Sequence, residues 1–201
     1  MKDTVIKKLD IRTISRSDFD AAYFLMDEKR KEKCSGYKND SDKKLCIAAD
    51  MLLRKALSEI FSVNEKDFVF DVDERGKPYL VNYYCNFNIS HSGDYIAICI
   101  NKNKRVGIDI EKIRPVKRTL IERVCAEEEK QYIFSGFEIK GSSFDEKELC
   151  ERFFRVWTYK EAILKLTGEG IRGNLKEIVF SPEDCLTEIS DGYCMTVICD
   201  E

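Results

Sequence analysis

The chain has 201 residues, 43% hydrophobic and 35% charged, the balance of an ordinary globular protein with one large core or two small ones. Its 34 basic and 37 acidic side chains leave a net charge of −3, which argues against a dedicated nucleic-acid binder, because such proteins carry a strong basic excess. The N-terminus MKDTVIKKLDIRT has no apolar stretch and no run of 18 apolar residues occurs, so neither a secretory signal nor a membrane span is expected.

Nine cysteines, at positions 34, 46, 85, 99, 125, 150, 185, 194 and 199, are odd in number and scattered, without a CxxC pair. His91 is the only histidine. That set does not suit zinc, and a reducing, cytoplasmic setting with idle thiols is expected.

Ser17 is expected to cap a helix running through Phe19, Ala22, Tyr23 and Leu25 towards Lys33. Its end gathers Lys29, Arg30, Lys31 and Lys33. Such an end either complements the helix dipole or receives anionic ligand groups, and taken alone the first reading is the stronger. The spacing of Leu45, Ala48, Ala49, Leu52, Leu53, Ala56, Leu57 and Ile60 predicts a helix over 42–61. Residues 68–72 read as a strand, and residues 73–78 turn the chain. Residues 87–90 and 95–100 read as strands around a Ser-Gly-Asp turn. The polar stretch 101–105 marks a boundary between two halves, 1–104 and 105–201.

The second half opens with a strand, Val106-Gly107-Ile108-Asp109-Ile110-Glu111. Helices are expected over 117–134 and 146–167, separated by a loop carrying Gly136, Gly141, Ser142 and Ser143. Gly168 ends the longer one. Short strands are expected at 176–180, 185–189 and 193–199. Each half thus reads as helices followed by antiparallel strands, an α/β (α+β) arrangement, although no sequence repeat relates the halves.

The chemistry concentrates in two motifs. Asp109 and Glu111 lie two apart in a β-branched run, so both carboxylates leave a strand by one face. Glu161 and Lys165, in Trp157-Thr158-Tyr159-Lys160-Glu161-Ala162-Ile163-Leu164-Lys165, lie four apart on one helical face. Three carboxylates and a lysine brought together would suit a hard divalent cation and a phosphate ester. Separately, an acidic strand pair is usually just solvated, and a Glu–Lys pair contributes only about 0.2–0.5 kcal/mol to a helix. Trp157 is expected to anchor its helix to the core. A lone histidine is more often structural than catalytic. Yet Ser90-His91-Ser92-Gly93 can offer hydroxyl, imidazole and backbone donors to a phosphate. The sequence has no G-x-S-x-G, P-loop, G-x-G-x-x-G or H-E-x-x-H motif.

Four motifs follow one another: Gly76-Lys77-Pro78, Phe87-Asn88-Ile89-Ser90-His91-Ser92-Gly93, Gly107-Ile108-Asp109-Ile110-Glu111, and the run from Trp157 to Lys165. In this order and at these separations, the chain closely resembles the 4′-phosphopantetheinyl transferases of the surfactin-synthetase-activating type, over about residues 20–171. The resemblance implies a pseudo-dimer of two similar halves with the site in the cleft between them. It implies transfer of the phosphopantetheine arm of coenzyme A to a serine of an apo acyl or peptidyl carrier protein, releasing adenosine 3′,5′-bisphosphate. Asp109, Glu111 and Glu161 would hold Mg2+, which suits a few carboxylates plus phosphate oxygens. Gly76, Lys77 and Pro78 would line the adenine. Ser90 and His91 would hold the 3′-phosphate, helped by Lys29 and Lys33. Glu161 would accept the serine proton, while Lys165, with Lys160 nearby, would face the diphosphate. Asp94 departs from the neutral or basic residue expected beside a phosphate. The loop at 135–146 lies where the family contacts its carrier. A monomer is expected, with neither nucleic acid nor membrane as partner. A non-catalytic module binding coenzyme A or a carrier is disfavoured, because all three acids and Lys165 are present. An unrelated Mg2+-dependent phosphotransferase is disfavoured by the lack of a phosphate-cradling glycine loop.

Overall fold

The chain begins with a strand that the sequence pattern hides. β1 (Val5–Asp10) has six half-exposed residues and no clean in–out alternation. The computed structural model describes residues 3–74, 76–135, 146–168 and 174–200. Three helices follow: α1 (Arg16–Leu25), α2 (Glu28–Ser35) and α3 (Asp40–Phe61). Ser15, not Ser17, caps α1, its hydroxyl accepting from Asp18 N at 3.2 Å. The single helix expected to reach Lys33 is two helices. Met26 is extended, and Asp27 starts α2 by accepting from Arg30 N at 3.2 Å. An acidic cap inside the run outweighed its periodicity.

The 22-residue α3 buries Leu45, Ala48, Leu53 and Leu57 against Ile96, Ile98 and Ile100 of the first sheet. A small hairpin, β2 (Phe70–Val72) and β3 (Pro78–Leu80), is inserted after it. β4 (Asn86–Ser92) and β5 (Tyr95–Asn101) complete an antiparallel sheet of order β1-β5-β4.

The second half repeats the plan. A strand, β6 (Val106–Lys112), leads into two short helices, α4 (Arg118–Val124) and α5 (Glu127–Phe134). The 22-residue α6 (Glu146–Thr167) follows, then β7 (Cys185–Ser190) and β8 (Tyr193–Cys199). The sheet order is β6-β8-β7, again with the opening strand paired to the closing one. The halves are therefore similar in topology: strand, two short helices, long helix, two strands. The helix expected over 117–134 breaks at Cys125, which is extended. Glu129 then accepts from Ala126 N at 2.7 Å and starts α5. No strand forms at 176–180. Leu175–Glu177 is a 3-10 turn capped by Asn174, and Phe180 N donates to Glu129 at 3.0 Å rather than to a ladder. Gly168, with φ +73, closes α6 as expected.

The two sheets share a core. Tyr95, Ala97 and Cys99 of β5 pack with Val106, Ile108 and Ile110 of β6 and Val197 of β8. β5 is buried on both faces, one towards α3 and one towards the other sheet. At this seam, side chains replace a strand ladder. Ser90 Oγ accepts from Ile110 N at 3.2 Å and Ser92 Oγ from Lys112 N at 3.1 Å. No helix among the described residues is long and apolar enough to cross a membrane.

Candidate active site at the seam of the two halves

The packing of α6 on β6 within the second half brings the two acidic motifs together, at the edge that meets the first half. β6 carries Asp109 and Glu111 on one face, and α6 lies across that strand. The approach is close because residue 107 has no side chain: a Cβ there would stand 2.0 Å from the carbonyl oxygen of Ala162. Gly107 thus sets the spacing between the Asp109/Glu111 strand and the turn of α6 that bears Glu161 and Lys165.

Asp109 is only 4% exposed. Its Oδ1 accepts from Lys165 Nζ at 2.6 Å and from Ser90 Oγ at 2.8 Å, and Lys165 Nζ also donates to Ser90 Oγ at 2.7 Å. Glu111 Oε2 accepts from Ser92 Oγ at 2.8 Å, with Arg114 Nη1 at 3.7 Å. Burial raises the Asp109 carboxyl above the usual range, against the opposing pull of Lys165 and Ser90. Burial also raises Glu161, and the charges of Asp109 and Glu111 add to it while Lys165 opposes. Asp109 Oδ2 and Glu161 Oε1 are buried without a hydrogen-bond partner among the described residues.

A crevice of about 380 Å3 opens beside this cluster, lined by Gly76, Lys77, Pro78, Asn88, Glu161 and Lys165 among others. Lys77 Nζ and Asn88 Nδ2 both donate to the Lys165 carbonyl, at 3.1 and 3.3 Å, which ties this wall to α6. Gly76, at φ +78, takes a left-handed turn conformation that favours glycine. Burial holds the Lys77 pKa down. His91 is exposed by area yet ringed by protein, and that desolvation, with the Lys165 charge, lowers its pKa. Asp42, in the first turn of α3, pulls the other way.

Family models describe both halves. The 4′-phosphopantetheinyl transferase N-terminal model matches residues 13–103, and the 4′-phosphopantetheinyl transferase superfamily model matches residues 105–191. The chain is 28% identical over 161 residues to 4′-phosphopantetheinyl transferase ffp of Bacillus subtilis, covering 80% of this chain and 68% of that one. It is 30% identical over 149 residues to 4′-phosphopantetheinyl transferase Sfp of the same species, covering 74% and 62%. It is also 30% identical over 170 residues to 4′-phosphopantetheinyl transferase gsp of Aneurinibacillus migulanus, covering 83% and 68%. The chain belongs to the 4′-phosphopantetheinyl transferase superfamily.

Within that superfamily of transferases it is of the Sfp-like type. Most of the residues the resemblance assigned meet at the seam: Asp109, Glu111, Glu161, Lys165, Ser90, His91 and the 76–78 wall. Lys160 does not join them. One residue from Glu161, it leaves α6 by another face and is fully buried. Its ammonium bonds Glu129 at 2.6 Å and the carbonyls of Val124 and Leu175 at 3.1 and 2.7 Å. It is thus a clamp inside the second half. Lys29 pairs with Asp71 at 3.0 Å, and Lys33 is exposed at the end of α2. Asp94, just after the histidine motif, lies 3.7 Å from Arg12 Nη1 in an exposed ion pair. Trp157 stacks on Phe153, as an anchor should. Residues 136–145, which span most of the loop expected to meet the carrier, lie outside the described residues.

Sequence reasoning gives Asn88 and Gly107 no role of their own and offers the Ser92 hydroxyl to a phosphate, whereas in the structure it donates to Glu111. Strand alternation could have flagged Asn88, since Asn88, Ser90 and Ser92 share the face that meets α6 and β6.

Among the described residues, no three His, Cys, Asp or Glu side chains are arranged to hold a metal as they stand. The donor chemistry nonetheless fits a hard divalent cation. All the donors are carboxylate oxygens, two of them are buried and unpartnered among the described residues, and the charges of Asp109 and Glu111 raise the pKa of Glu161.

Proposed function

We propose that this chain transfers the 4′-phosphopantetheine arm of coenzyme A to a serine of an apo acyl or peptidyl carrier protein, releasing adenosine 3′,5′-bisphosphate. One observation carries this reading: three carboxylates and a lysine on β6 and α6 of the second half meet beside a crevice that the first half walls with Gly76, Lys77 and Pro78. The chain spans 62% of the length of Sfp, so the activity and partners of whole relatives enter as part of the proposal. So does the division into units 1–104 and 105–201.

Asp109, Glu111 and Glu161 would hold Mg2+, which when bound neutralises diphosphate charge and orients the pyrophosphate. The chain's own groups do the rest. The 76–78 wall receives the adenine. His91, with Lys29 and Lys33, binds the 3′-phosphate, the lysines as mobile point charges, while the buried Ser90 hydroxyl, already bonded to Asp109, Lys165 and Ile110 N, holds the acidic cluster together instead. Glu161 accepts the proton of the attacking serine hydroxyl. Lys165 neutralises charge on the leaving diphosphate oxygen. Positioning and charge neutralisation supply most of the rate in such transfers.

A groove of about 410 Å3 lies beyond Glu111, lined by Arg114, Lys117, Arg123, Phe153, Phe154 and Trp157 among others. Its basic rim and apolar floor suit an acidic carrier surface bearing apolar side chains.

The test is to incubate the protein with coenzyme A and a panel of fatty-acid, polyketide and peptide apo carriers, with and without Mg2+. A phosphopantetheine-sized, Mg2+-dependent mass gain on at least one carrier is expected. Coenzyme A binding without mass gain on any carrier would convert the reading to a non-catalytic binding module.

A further inference from the structure

Lys165 already plays the part of a cation in the acidic cluster. Its ammonium, Ser90 Oγ and Asp109 Oδ1 are bonded pairwise at 2.6 to 2.8 Å, in a pocket where Asp109 is nearly sealed from water. A buried carboxylate that loses its charged partner is strongly destabilised, so the ammonium leaves readily only if another cation replaces it. The lysine stem is flexible enough to swing, and the crevice it lines gives it somewhere to go. One ammonium also leaves the cluster incompletely matched, because Asp109 Oδ2 and Glu161 Oε1 have no partner among the described residues.

We propose that Lys165 is a built-in competitor for the divalent cation: ammonium and metal exclude each other at Asp109, and a diphosphate relieves the competition by drawing the lysine away. The proposal rests on the reading of Asp109, Glu111 and Glu161 as metal ligands. Its consequence is an order of events. The free chain binds Mg2+ weakly, and the metal is taken up together with the diphosphate. A static salt bridge that merely pins α6 to β6 would have no such consequence.

The experiment is titration of the full chain with Mg2+ alone, without coenzyme A, by isothermal calorimetry, with circular dichroism as the check on folding. Lys165→Met and Lys165→Gln remove the competing charge and should bind Mg2+ roughly tenfold tighter or more than wild type, given the strength of a charge contact at such a partly buried site. Lys165→Arg keeps the charge and should remain weak. Either neutral variant suffices if the other fails to fold, since Gln keeps a hydrogen-bond donor for Ser90 and Asp109. Neutral variants no tighter than wild type overturn the competition and leave the metal site standing. In the double variant Lys165→Met/Asp109→Asn the gain should vanish. If it persists, the metal binds elsewhere, and both the inference and the reading beneath it fall.

Discussion

Glu161 holds a carboxylate in a place that costs stability. It is desolvated, faces Asp109 and Glu111, and has one oxygen without a partner among the described residues. Its folded pKa lies above the ordinary value of 4.5. A raised carboxylate opposes folding when ionised, so the penalty is full above the folded pKa and vanishes below the unfolded one. Glu161→Gln should therefore raise the melting temperature of the metal-free protein at neutral pH. At about 2–4 °C per kcal/mol for a chain of this size, the gain is readable in thermal melts, and it should fade as pH falls towards 4.5. The same variant should lose about 10²–10⁴-fold in transfer rate through loss of the base. A variant that is destabilised and fully active would exclude Glu161 as the proton acceptor. At this scale the sequence was informative for motif residues and blind to their supports. Asp109, Glu111, Glu161 and Lys165 stood out by type and spacing. The bond from Ser92 to Glu111 and the closeness of Gly107 to Ala162 depend on which elements pack together, which spacing along one chain does not encode. Lys160 shows the converse: motif membership placed it near the diphosphate, but a 100° step around a helix took it to the other side.

At the scale of elements, two contacts fix how α6 meets its neighbours. Gly107→Ala would drive a methyl group into the Ala162 carbonyl, and only backbone movement relieves such a clash. A loss of about 1–3 kcal/mol is expected, with transfer reduced because the Asp109 and Glu161 carboxylates separate. Urea titration beside an activity assay checks both. The buried Lys160–Glu129 pair links α6 and α5 and, through backbone bonds, Val124, Leu175 and Phe180. Lys160→Met leaves Glu129 buried and uncompensated and should cost about 3–5 kcal/mol. The apparent KM for coenzyme A should stay unchanged in whatever fraction folds. A raised KM at full stability would return Lys160 to the substrate. The long helices, β4, β5 and β6 were legible because their apolar periodicity is strong and their ends are capped or turned. β1 was not, since its residues sit half-exposed at a sheet edge. The split helices were missed because Asp27 and Glu129 cap from inside a helical pattern.

For the whole molecule, duplication explains why the site lies where it does. Each half builds the same three-stranded sheet around its own long helix, and the sheets then bury a common core through Tyr95, Ala97, Cys99, Ile108 and Val197. The site is assembled across that shared surface, so the halves should unfold together. Trp157 reports only on the second half, and far-ultraviolet circular dichroism on both. Coincident melting by the two probes is expected, whereas separate transitions would show independent halves. The repeat was hidden in the sequence because no residue pattern relates the halves, and β1, the strand that makes the plans match, was unread. The central claim is that the acids at this seam carry out the transfer. Intact-mass spectrometry of one responsive apo carrier, incubated with coenzyme A, Mg2+ and either wild type or Asp109→Asn, tests it most directly. The account predicts a phosphopantetheine-sized gain with wild type and almost none with the folded variant. Equal gains from both, or none from wild type on any carrier, would contradict it.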